Sequence, residues 1–81
     1  MAFFFFIWTD RAMQKIADRD ITTEEVEEII SHPDRTGISR TSGRQFAAGE
    51  TSTGRTMLCV YEELDGTTIQ PITAYEIEMK P

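Results

Sequence analysis

Apolar residues follow two rhythms along this chain, three-to-four spacing in the first third and alternation afterwards. The apolar run Met57 to Tyr61, bounded by turn signals, reads as a central strand. Asp65-Gly66 then marks a hairpin leading into a second β-rich segment that continues to Ile77. Upstream, Phe3 to Trp8 is a short apolar run. It reads as a first strand buried on both faces, or as an apolar edge covered by a partner. Thr9 can cap a helix running to about Arg19, with Trp8 and Met13 at hydrophobic-staple spacing and Ala12, Met13, Ile16 and Ala17 as its apolar stripe. Asp18-Arg19-Asp20 ends that helix. Thr22 and Glu25 have capping-box spacing and open the next one, which buries Val26, Ile29 and Ile30. Glu24, Glu25, Glu27 and Glu28 read as its solvated face or a docking surface for a basic partner. Pro33 stops it, leaving His32 as a C-terminal cap rather than a catalytic base.

From Arg35 the pattern is β. Segments 35–40 and 44–49 flank Thr41-Ser42-Gly43 as a hairpin loop, and 50–54 form the next turn. If Gly49 pairs with Arg55, alternation places Phe46, Ala48, Leu58 and Val60 on one face, the expected seat of both helices. The other face carries Gln45, Ala47, Gly49, Arg55, Met57, Cys59 and Tyr61, with a shallow groove expected over the small residues 47 and 49. Pro71 cannot donate to a ladder, so a bulge or an edge is expected there. The predicted fold is α+β, two N-terminal helices packed on a three- to five-stranded, mainly antiparallel sheet.

With 81 residues, 40% of them hydrophobic, the chain is expected to form a single domain, residues 1–81. The net charge of −6 argues against the usual basic type of nucleic-acid binder. One cysteine, Cys59, leaves no intramolecular disulfide, and its apolar neighbours mark it as a buried small hydrophobe. One histidine leaves no Cys/His zinc site, so neither a metal nor a cofactor is expected. The N-terminal apolar run lacks a basic n-region and falls short of the roughly 20 residues that cross a bilayer. A cytoplasmic, soluble protein with no membrane contact is the expectation.

The sequence contains no Gly-rich phosphate loop, serine triad pattern or paired metal-ligand spacing. Its charge, however, is unevenly spread. Arg35, Arg40, Arg44 and Arg55 fall in a segment whose one acid is Glu50. Such arginines can hold phosphates through bidentate charge-assisted bonds, or pair with acids elsewhere in the chain. Six residues of strand separate Arg55 from Tyr61 by roughly 20 Å, so both cannot touch one phosphate. A site at one end of the sheet would group Arg55 with Tyr75 and Glu76. At the other end it would group Arg44 with Tyr61 and His32 or the helix junction.

Several short motifs, taken in order, resemble the BrnT-like toxins of the RelE/ParE superfamily. They are Trp8-Thr9-Asp10, Ile21 followed by Thr-Thr-Glu-Glu-Val, His32-Pro33, and Gly43-Arg44 with Gly49. Gly54-Arg55, Val60-Tyr61-Glu62 and Ile72-Thr73-Ala74-Tyr75 complete the series. The resemblance spans nearly the whole chain. It implies a RelE/ParE-like toxin of a type II toxin–antitoxin pair, an endoribonuclease restrained by a small antitoxin and cutting RNA through attack of a ribose 2′-OH. Arg44 and Arg55 would hold the phosphate, Tyr61 matches the residue closing the central strand, and Tyr75 would donate a proton or stack on a base. The final strand departs from the family pattern. Gln70 and Thr73-Ala74-Tyr75 stand where these toxins carry arginines in a strand ending Ser-Ala-Arg. That departure supports the alternative, a non-catalytic protein-binding module on the same fold.

Overall fold

The computed structural model describes residues 4–41 and 43–77. Phe3 of the expected first strand and Ser42 of the expected hairpin loop lie outside them. Along the chain come β1 (Phe5–Phe6), α1 (Asp10–Ala17), α2 (Thr23–Ser31), β2 (Arg35–Ile38), β3 (Gln45–Glu50), β4 (Thr56–Glu63) and β5 (Thr68–Glu76). The strands form one mixed sheet in the order β1-β5-β4-β3-β2. Only the β1–β5 pair is parallel, Phe5 lying opposite Thr68. The other pairs are antiparallel.

Helix boundaries follow local chemistry. Extended Thr9 accepts the Ala12 N–H at 3.1 Å and starts α1. The helix stops at Ala17, short of Arg19. Asp20 takes a left-handed φ of 59°, while the Ile21 N–H returns to the Ile16 carbonyl and the Asp20 N–H to that of Ala17. Those two bonds define a Schellman end, with buried Ile16 and Ile21 as its apolar contact. At α2, Thr22 and Glu25 form the expected capping box, each side chain accepting the other's backbone N–H. His32 closes α2 in a non-helical conformation, its N–H on the Glu28 carbonyl.

The β3–β4 register differs from expectation by two residues. Gly49 pairs with Met57, not Arg55, because Thr51 to Gly54 close a wider turn on the Thr51 N–H to Arg55 carbonyl bond. A shift of two preserves the faces. The layer order nevertheless inverts. The helices cover Ala47, Gly49, Met57, Cys59, Tyr61 and Ala74, whereas Phe46, Ala48, Leu58 and Val60 stay half-buried on the opposite face. Small residues at 47 and 49 therefore make no open groove. They admit α2: a Cβ built on Gly49 would lie 3.6 Å from Ile29 Cδ1 and 3.3 Å from the Asp34 nitrogen. Val26, Ile29, Met57 and Ile69 are fully buried in this layer, each contributing about 1.5–3 kcal/mol of transfer free energy.

Two expected features behave differently from their simplest form. β1 is an edge strand: Phe4, Phe6 and Trp8 pack against the core while Phe5 is exposed. In α1 only Ala12 and Ile16 are buried, and Met13 and Ala17 face outward. Pro71 marks the expected bulge, Val60 pairing with Thr73 but Tyr61 with Pro71. The Asp65-Gly66 hairpin forms as expected. Asp65 Oδ1 accepts the N–H groups of Thr67 and Thr68 at 2.9 Å each, holding its carboxyl below the ordinary range.

Candidate functional site

The turn 51–54 delivers Arg55 to the rim of the helix layer. Gly54 supplies a φ of 90° there, and the Thr51 hydroxyl accepts the Arg55 N–H at 3.1 Å. One guanidinium nitrogen then reaches Glu25 at 3.0 Å and the Asp20 carbonyl at 2.9 Å, the other Glu76 at 3.1 Å. The Glu76 hydrogen bond foremost, with the Glu25 charge, raises the Arg55 pKa further above its already high ordinary value. Arg55 and Glu76 do meet as the sheet-end geometry suggests. The guanidinium nevertheless ties the end of α1, the start of α2 and the last strand together, and its donors are directed at protein acceptors.

At the opposite end of β4, Arg44 precedes β3 and pairs with Glu62 at 2.9 Å, each side chain 42% exposed. The Ser39–Arg44 loop sets its position, closed by Ser39 N–H to Arg44 carbonyl at 2.7 Å with Gly43 at a φ of 72°. Gln45 pairs with Tyr61, so Arg44, Tyr61, Glu62 and Glu63 border one open depression of about 510 Å³. Tyr61 is 8% exposed, and burial foremost, then the Glu63 charge, raises its hydroxyl pKa. The expected Arg44–Tyr61 grouping is present. His32 is not part of it, because it precedes β2, whose first residue pairs with Ala48, three positions along β3 from Gln45.

Tyr75 stands apart from both groups. Opposite Leu58 on the face away from the helices, it is 40% exposed. Of the four expected site residues, then, Arg44 and Tyr61 come together, Arg55 is committed to ion pairs, and Tyr75 lies on the far face. Cys59 sits at zero exposure in the core, where desolvation pushes its thiol up to about 12.

Three of the four glutamates of α2 make structural contacts, and Glu24 stays exposed on the expected solvated face. Glu25 holds Arg55, Glu27 accepts the Trp8 indole N–H at 2.8 Å, and Glu28 accepts the Ser52 N–H at 3.0 Å. Two cations that the arginine clustering left out also border the Arg44 end. Arg11 and Lys15, four apart on α1, line a second depression on the other side of Arg44, with Gln70 across from them. Their i, i+4 spacing was visible in the sequence; the packing of α1 against β5 was not.

Among the described residues no group of three or more His, Cys, Asp or Glu side chains is placed to hold a metal ion. No helix there is long and apolar enough to cross a membrane. Comparison with known protein families, with curated proteins and with solved structures gives no match in any of the three.

Proposed function

We propose that this protein is a toxin-like ribonuclease of a type II toxin–antitoxin pair, working at the Arg44 end of the sheet. The observation that supports this most is the shared depression of Arg44, Tyr61 and Glu62. RNA cleavage by 2′-OH attack needs a cation for the phosphate, an acceptor for the 2′ proton and a donor for the departing 5′ oxygen. Arg44 takes the phosphate. Glu62, 2.9 Å from Arg44, lies within reach of the same group and accepts the proton. Tyr61 borders the same depression as a protonated phenol and is the donor at hand for the 5′ oxygen, although its raised pKa makes it a weaker acid than a free phenol. Arg55 drops out of the reaction, because its partners are carboxylates of the fold. The test is incubation of end-labelled RNA with the pure protein, alone and with ribosomes. Cleavage to 2′,3′-cyclic ends, lost in Arg44→Ala at unchanged melting temperature, is expected. Intact RNA in both settings, beside a control nuclease that cuts, would sink the reading.

A second reading, the non-catalytic protein-binding module, rests on a separate observation. The sheet face away from the helices carries Phe46, Ala48, Leu58, Val60 and Tyr75, and holds an apolar groove of about 210 Å³ closed by Arg35 and Ile77. A face of that kind, on a chain of net charge −6, suits docking of a basic partner with an apolar centre. Leu58→Asp is expected to abolish recovery of a specific partner from native lysate. Recovery that is indifferent to this change would count against the face.

A further inference from the structure

We propose that the depression between α1 and the bulged stretch of β5 is a binding site for a dianionic phosphate, such as the phosphomonoester end of a nucleotide. Thr9, Arg11 and Lys15 border it from the helix side, Arg44 from the start of β3 and Gln70 from β5. Its volume is about 410 Å³, within the range of small-molecule sites.

Charge placement carries the argument. The chain has 14 acids against 8 bases, so a cation near the surface has partners in excess. Arg55 takes two carboxylates and Arg44 takes Glu62. Yet among the described residues neither the Arg11 guanidinium nor the Lys15 ammonium has a hydrogen-bonding or ion-pairing partner. No carboxylate borders the depression between them and Arg44. Lys15, in the last turn, is favoured by the helix dipole. Arg11 sits in the first turn, where a cation opposes that dipole, and one turn from Lys15, where like charges repel. Local helix energetics thus disfavours Arg11, and a bound anion removes both penalties together.

The surrounding chemistry suits a phosphate. The register shift at Val60/Tyr61 lies opposite Pro71 and Thr73, next to Gln70, which can donate through its amide. The two cations without a carboxylate partner, Arg11 and Lys15, match a dianion better than the single charge of a phosphodiester, with Arg44, already paired to Glu62, bordering the same space. The inference does not depend on RNA cleavage. A chain that leaves RNA intact would keep this site, and one that cuts RNA could lack it.

Amide-resolved NMR titration of the intact chain tests it, with three probes: inorganic phosphate, adenosine 5′-monophosphate, and a dinucleoside phosphodiester lacking a terminal phosphate. Saturable shifts at residues 9–15 and 70–72 are expected with the first two, and weaker binding with the third. Equal affinity for phosphate and the nucleotide assigns the site to the phosphate group alone. Tighter nucleotide binding extends it to the nucleoside. Arg11→Gln/Lys15→Gln is expected to weaken binding about tenfold or more, while Arg35→Gln, on the far edge strand, leaves it unchanged. Should the double variant fail to fold, Arg11→Gln alone, at an exposed position, gives the same readout. Absence of saturable shifts there, equal loss in Arg35→Gln, or a diester that binds as tightly as the monoester overturns the proposal.

Discussion

Asp65 illustrates how much one side chain can fix. Its carboxylate gathers the N–H of Thr67, the hydroxyl and N–H of Thr68, and the Thr67 hydroxyl, and so shapes the β4–β5 connection. Those bonds favour the charged form and lower its pKa below the ordinary 3.8. A folded-state value below the unfolded one means the stabilisation is fully present above the unfolded value and is lost as pH falls through the folded one. Asp65→Asn is therefore expected to melt lower than the parent at neutral pH, with the gap closing as the pH falls through the folded value. A gap that is constant with pH would assign the effect to geometry instead of charge. Arg55 makes a related point: charge type predicts phosphate binding, but the partners a residue meets decide its role.

At the scale of the elements, each helix end has an identifiable device. Thr9 and the Thr22–Glu25 box begin the helices, and a Schellman turn through Asp20 ends the first. Asp20 is the non-glycine residue with positive φ among those described, a conformation glycine adopts without strain. Its backbone carbonyl, which accepts from Arg55, would be retained by any replacement. Asp20→Gly is accordingly expected to raise stability by about 0.5–1 kcal/mol, read from the denaturation midpoint. A loss of stability would mean that the aspartate side chain contributes more than its backbone strain costs.

For the whole molecule, the sheet separates two arginines that the sequence treats alike. Arg55 lies with the helix junction and the last strand, Arg44 at the far end of β4 beside the two depressions. Under the ribonuclease reading, controlled expression in a bacterial host separates them. The parent is expected to arrest growth, and Arg44→Ala to relieve the arrest at an undiminished soluble level. Arg55→Ala is expected to relieve it only so far as its lower melting temperature reduces folded protein. Full relief by Arg55→Ala in a chain that melts like the parent would return that residue to the site.

The sequence determined what is local. Capping spacing placed both helices, Asp65-Gly66 placed the last hairpin, Pro71 marked the bulge, and the apolar neighbours of Cys59 placed it in the core. These features depend on residues a few positions apart, so their physics is written along the chain. Tertiary structure decided the rest. Alternation told which residues share a face but not which face the helices take, because both faces of β3 and β4 are apolar; the close approach of Ile29 to Gly49, with Ala47 buried beside it on the same face, settled it. The same packing turned Arg55 toward Glu25 and Glu76, and brought Arg11 and Lys15 from α1 to the space beside Arg44. Such meetings join residues far apart in the chain, Arg55 and Glu76 by 21 positions and Arg55 and Glu25 by 30, and only the folded backbone makes them neighbours.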